Sequence, residues 1–231
     1  MSGLLARVTA ALQAPRDGDA PPPADGELMV RAQQTLDRLL VEAPADVRAL
    51  PLYGLLTMAG PAVVVAAWKR MMPRGLTMCG PDTVAHLVGL LDTLQREQVP
   101  GDWLEAGVWR GGLPLLMRAY LAEVGDAERS VWLADSFDGL PPDPSRAEDR
   151  LAHALLLGIG SLRVTRPDVE ALFTAYGLLD ARVRFIEGVF ATSLPGAPVG
   201  ALSLLRIDAD YFEGTRDALE AMYARVSAGA S

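Results

Sequence analysis

Apolar residues change their spacing along this chain near residue 100. Before it they recur at three and four; after it they gather in short unbroken runs. Leu87, Leu90, Leu91 and Leu94 share one side of a helix predicted over 83–98, with Asp82 or Thr83 available as its N-cap. Segments 103–107, 131–135, 182–187 and 202–208 read as strands, the last of them a buried-strand pattern that ends in carboxylates. Helical spacing fills 112–124, parts of 139–176, and 214–226. The alternation predicts an α/β fold with a Rossmann-like parallel sheet. Ahead of it, 4–12 suits a short amphipathic helix, 14–26 is a linker rich in Pro, Asp and Gly, and 27–98 is a helical region.

The composition narrows the function classes. Fifty per cent hydrophobic residues in 231 support a sizeable core. A formal charge of -8 without a basic stripe argues against nucleic acid and for a small-molecule partner. Cys79 is the one cysteine, so no internal disulfide forms; it suits a reducing cytoplasm and reads as a small buried residue rather than a nucleophile. His86 and His153, the two histidines, are too few for a multi-histidine metal centre, so any metal would rest mainly on carboxylates. Residues 49–68 carry no charge and reach the length of a membrane span, but Pro51, Gly54, Gly60 and Pro61 interrupt them. A buried helix pair is the preferred reading there, and a cytoplasmic location the default.

Candidate chemistry begins at 101–112, Gly-Asp-Trp-Leu-Glu-Ala-Gly-Val-Trp-Arg-Gly-Gly. An apolar strand running into a glycine-rich turn lets the backbone approach a nucleoside cofactor, and the next strand brings a carboxylate to the ribose. Asp135 ends that next strand, 24 residues after Gly111. Glu105 stands where a dinucleotide fold would need room for pyrophosphate. A carboxylate there suits a cationic head, the amino group or sulfonium of S-adenosylmethionine, better than NAD. A plain tight turn is the bland alternative. Asp208 and Asp210 close the fourth strand at the same rim; Asp208 can ligate Mg²⁺, accept a proton or cap the next helix, and Asp210 is read first as a cap. The stretch 141–167 is longer than a crossover requires and is either a lid or a surface excursion.

The segments Thr77-Met78, 99–112, Trp-Leu-Ala-Asp-Ser-Phe-Asp-Gly-Leu-Pro at 132–141, Tyr-Gly-Leu-Leu-Asp at 176–180 and Leu-Arg-Ile-Asp-Ala-Asp at 205–210 resemble the macrocin-type sugar O-methyltransferases. The likeness covers about 77–229. It implies a class I methyltransferase sheet in 99–231, S-adenosylmethionine as donor, and Mg²⁺-assisted methylation of a sugar hydroxyl on a glycosylated natural product, with a homo-oligomer as one possible assembly. By position it implies that Glu105, Gly107, Val108, Trp109, Arg110 and Gly111 surround the methionine part of the donor. Asp135, Ser136 and Phe137 fall at the ribose, and Gly188 and Val189 near the adenine. Asp208 is implied as first metal ligand and base. Phe212 and Gly214 depart from the family's Tyr and Ser. The family's later pair of adjacent aspartates would fall about four residues beyond Ser231 by its spacing, so the domain is expected to be partial. On that expectation the fourth strand is an open edge, and an inactive donor-binding remnant is the alternative function.

Overall fold

The computed structural model describes residues 76–79, 81–140, 144–150, 153 and 162–228. The readings for 1–26, most of 27–98, and the uncharged stretch at 49–68 lie outside the described residues. No helix among the described residues is long and apolar enough to cross a membrane.

Four parallel strands form the sheet: β1 (Asp102–Ala106), β2 (Val131–Asp135), β3 (Val183–Glu187) and β4 (Leu202–Ile207), in the order β3-β2-β1-β4. The chain crosses from the β3 side to the β4 side of β1, which makes the β1/β4 boundary the switch point where open α/β sheets bind ligands. Around the strands lie helices α1 (Pro81–Arg96), α2 (Gly112–Val124), α3 (Arg166–Ala175), α4 (Phe190–Ser193) and α5 (Phe212–Met222). These bounds match the strand and helix expectations to within a few residues. The short α4 was not anticipated, and Thr83 lies inside α1 rather than capping it.

Strand alternation sorts the side chains into two cores. On one face Trp103, Val131, Leu133 and Leu204 pack with α1 and α2 residues such as Leu91 and Leu115. On the other, Leu104, Ala106, Trp132 and Ala134 pack with Ala218 and Met222 of α5. The same period of two carries Glu105, Asp135, Arg206 and Asp208 to the α1/α2 face, all at the C-terminal ends of their strands. Ser203 anchors the opposite end, where its hydroxyl accepts the buried Trp103 indole N–H at 3.1 Å and donates to the Gly101 carbonyl at 2.9 Å.

Helix α2 is buried along its entire first ten residues, Gly112 to Leu121, and no apolar stripe marks its exposed side. It enters through Gly111 at φ 80° and leaves through Gly125 at φ 71°, left-handed conformations that glycine adopts without steric cost. The stretch after β2 contributes residues 144–150 and 153, which sit on the start of α5: the Phe212 N–H donates to Asp149 at 3.1 Å, Ser145 donates to Glu213, and the Arg146 guanidinium lies 4.6 Å over the Phe212 ring. The described part of the segment is therefore seated against the start of α5.

The open-edge expectation for β4 needs a correction at its first residue. Val226 bridges Leu202 in parallel, and the Ser227 N–H donates to the Leu202 carbonyl at 2.8 Å. Among the described residues the rest of that edge carries no partner strand.

Gly107 has φ 90°, and a Cβ there would overlap the Asp208 carbonyl across the β1/β4 boundary. Gly107→Ala is expected to lower unfolding stability by at least about 2 kcal/mol, combining left-handed strain with the collision. A urea midpoint equal to that of the unsubstituted chain would contradict this close approach.

Candidate functional site

A cavity of about 530 Å³ opens at the C-terminal ends of β1, β2 and β4. Its floor is built from Glu105, Gly107, Val108 and Trp109 after β1, Asp135 and Ser136 after β2, and Asp208 and Asp210 after β4. Gly188 and Val189 complete one side, Thr77, Met78 and Cys79 another, and Pro144, Ser145 and Leu162 lie over it. Of the expected donor-binding residues, Arg110, Gly111 and Phe137 stand away from the lining. Arg110 stacks 4.7 Å over the Trp109 ring, Gly111 forms the α2 entry against Val169, and Phe137 is buried against Phe185.

Asp135 shapes the turn. One of its oxygens accepts the backbone N–H groups of Val108 at 2.8 Å and Trp109 at 3.1 Å, and the other accepts that of Phe137 at 3.0 Å. Both Trp109 and Phe137 hold positive φ, 47° and 52°. A carboxylate at the end of β2 thus clamps the loop after β1 in a conformation that non-glycine residues seldom adopt.

Glu105 is the most deeply buried acid of the site, with its side chain 3 % exposed. It pairs through Oε1 with Arg206, while Oε2 is buried without a hydrogen-bond partner. Burial pushes its carboxyl up to about 8; Arg206 opposes the shift, and the charges of Asp208 and Asp135 add to it. Arg206 also donates to Asp208 Oδ2 at 2.9 Å and lies 3.1 Å from Cys79 Sγ. Burial raises the Cys79 thiol as well, against the pull of Thr77 and Arg206.

Two readings of single residues change here. Cys79 is not a plain apolar filler, because it lines the cavity and touches the Arg206 guanidinium. Asp210 caps no helix, since α5 starts after Tyr211 without a side-chain cap. Instead Asp210 faces the cavity, and crowding by protein atoms together with the like charges of Asp208 and Asp135 holds its carboxyl up at about 6, although the side chain stays open to the cavity. Arg206 and Tyr211 were missed. Arg206 was legible as the residue two before Asp208, hence on its face of the strand; Tyr211, which bonds His153 through its hydroxyl, carried no signal in the sequence.

The parallel sheet, its switch-point cavity and the carboxylates at the strand ends define a class I methyltransferase fold. The chain belongs to the macrocin O-methyltransferase (TylF) family, whose model matches residues 66–231. It is 46% identical over 155 residues to the 8-demethyl-8-(2,3-dimethoxy-alpha-L-rhamnosyl)-tetracenomycin-C 4'-O-methyltransferase of Streptomyces olivaceus, covering 66% of this chain and 59% of that one. The demethyldecarbamoylnovobiocin O-methyltransferase of Streptomyces niveus is 40% identical over the same shares. Among solved structures, the O-methyltransferase NovP superposes with a TM-score of 0.63 at 32% identity, covering 89% of this chain and 81% of that one. The chain spans about three fifths of the length of the curated relatives it matches.

Because three backbone donors depend on one carboxylate, Asp135→Ala is expected to cost about 1–3 kcal/mol of stability, the penalty of leaving such groups unpaired. Denaturant unfolding checks this, and an unmoved midpoint would show that the turn holds without its clamp.

Proposed function

We propose that this domain binds S-adenosylmethionine and serves the O-methylation of a sugar hydroxyl on a glycosylated natural product, in the cytoplasm. The observation that carries the reading is the Glu105 carboxylate, buried at the cavity floor with one oxygen lacking a partner. A buried acceptor of this kind calls for a donor from the ligand, and a cationic one most of all. The donor carries an ammonium and a sulfonium, so its charge fits a floor made of Glu105, Asp135 and Asp208. Relatives named as O-methyltransferases of a rhamnosyl-tetracenomycin and of demethyldecarbamoylnovobiocin support the acceptor class.

In this reading Glu105 holds the cationic head and the Val108–Trp109 turn lies along the methionine part. Asp135 and Ser136 face the ribose, and Gly188 and Val189 the adenine. The bound donor supplies an electrophilic methyl group on a positive sulfur. Asp208 stands on the acceptor side with Oδ1 outside the Arg206 contact, and takes the proton that the attacking hydroxyl loses. Residues 144–145 and Leu162 cover the cavity and exclude water from the transfer.

Magnesium does not fit the described residues by themselves. Among them no three His, Cys, Asp or Glu side chains converge on one point, and Asp208 Oδ2 is held by a guanidinium. Asp208 as a metal ligand therefore rests on the family resemblance.

The donor should bind more weakly as pH falls. Its cation favours ionised Glu105, whose carboxyl in the empty cavity is raised to about 8. Below that pH, binding must expel a proton, so affinity should fall by up to about tenfold per unit, and it should level off above. Calorimetry in buffers of different ionisation heat measures the released proton; binding independent of both pH and buffer would contradict the role of Glu105. Asp208→Asn should lower transfer to a glycoside acceptor by about 10²-fold or more in a chain that turns over. Full turnover in that variant would remove Asp208 as the base.

A further inference from the structure

Arg206 has no part in the reaction set out above, yet its guanidinium lies beside the cavity floor and contacts three groups that line it, Glu105, Asp208 and Cys79. It lies in parallel register with Glu105 across the β1/β4 boundary, and Asp208 follows two residues later on the same face of the strand. The guanidinium, 17 % exposed, reaches Glu105 through one Nη and both Asp208 Oδ2 and Cys79 Sγ through the other. We propose that Arg206 is a positioning residue that couples the donor side of the site to the acceptor side, one rigid fork orienting the Glu105 and Asp208 carboxylates together. This deepens the methyl-donor reading and rests on it for the ligand.

The physical argument is one of charge and geometry. Glu105 from β1, Asp135 from β2, and Asp208 and Asp210 beyond β4 all face one cavity, and Cys79 adds a thiol from 76–79. Arg206 touches two of these acids, Glu105 and Asp208. With it in place, Glu105 keeps an oxygen for the ligand and Asp208 keeps Oδ1 for the acceptor. A planar guanidinium binds two carboxylates in fixed directions, which a lysine ammonium does not. Arg206 is therefore placed to fix both the ionisation of Glu105 and the aim of Asp208.

The test compares the full chain with R206Q and R206K, each checked for folding by circular dichroism. S-adenosylhomocysteine binding is measured by calorimetry from about pH 6 to 9, and iodoacetamide labelling of Cys79, the single cysteine, is timed at about pH 8.5. In R206Q, affinity should drop about tenfold or more, and the pH below which binding weakens should move up by about one unit or more. Labelling should slow several-fold, because the thiolate loses its cation. R206K should restore the pH profile and the labelling rate but not the full affinity. A folded R206Q with unchanged affinity, profile and labelling rate overturns the proposal. Should R206Q not fold, R206K decides: the unsubstituted chain's pH profile with a lowered affinity supports the coupling, and an undiminished affinity or a displaced profile overturns it. A chain that tolerates neither substitution makes Arg206 purely structural, and that too overturns the positioning role. If the unsubstituted chain binds no S-adenosylhomocysteine at any pH, the methyl-donor reading fails, and a crystal structure of R206Q decides on Arg206: Glu105 and Asp208 side chains turned from their positions in the unsubstituted chain support the positioning role, unmoved ones overturn it.

Discussion

A carboxylate carried to the end of a central strand and closed off from solvent is costly to ionise, and Glu105 is such a group. The structure meets that cost with a guanidinium from the neighbouring strand at the matching register, Arg206 opposite Glu105. Such a pair is weak evidence of stability, because desolvation consumes much of the attraction, and removing Arg206 would leave Glu105 buried without the cation that favours its ionised form. The pair consequently ties the register of β1 against β4 to the chemistry of the cavity. Compensation is also incomplete, since Glu105 Oε2 has no partner and its carboxyl remains high. The two protonation states thus lie close in energy near neutrality, and an arriving cation can tip the balance.

The second constraint is the loop between β1 and α2. Gly107 lets the backbone pass against Asp208, and Asp135 gathers the N–H groups of Val108 and Trp109. Together these hold three strand ends within reach of one cavity while keeping Trp109 in a left-handed conformation. Gly112 extends the same logic, as a side chain there would run into the Leu76 backbone and push the 76–79 segment off the rim. The cavity is thus a consequence of close backbone contacts at glycines, with acids arranged around them.

Most of the sheet could be read from the sequence because its strands are short, apolar and separated by helices of ordinary length. Glu105 and Asp135 could be read because a strand-end position needs only local counting. Partners across strands could not. That Arg206 meets Glu105 depends on the β1/β4 register, and that Cys79 joins them depends on where 76–79 lies, information held in tertiary packing. The placement of Phe137 and Arg110 was hidden for a related reason: they adjoin cavity-lining residues in sequence, but Phe137 turns into the core and Arg110 stacks onto Trp109. The short α4 is four residues long and has no buried face to generate a periodic signal.

Whether a cationic ligand group completes the buried Glu105 carboxylate is decided by a crystal structure of this chain with S-adenosylhomocysteine. The ligand amino nitrogen is expected within about 3 Å of Glu105 Oε2, ordinary hydrogen-bond range, with the ribose beside Asp135 and Ser136. A ligand bound elsewhere, or bound in the cavity with Glu105 Oε2 still unpartnered, would contradict it.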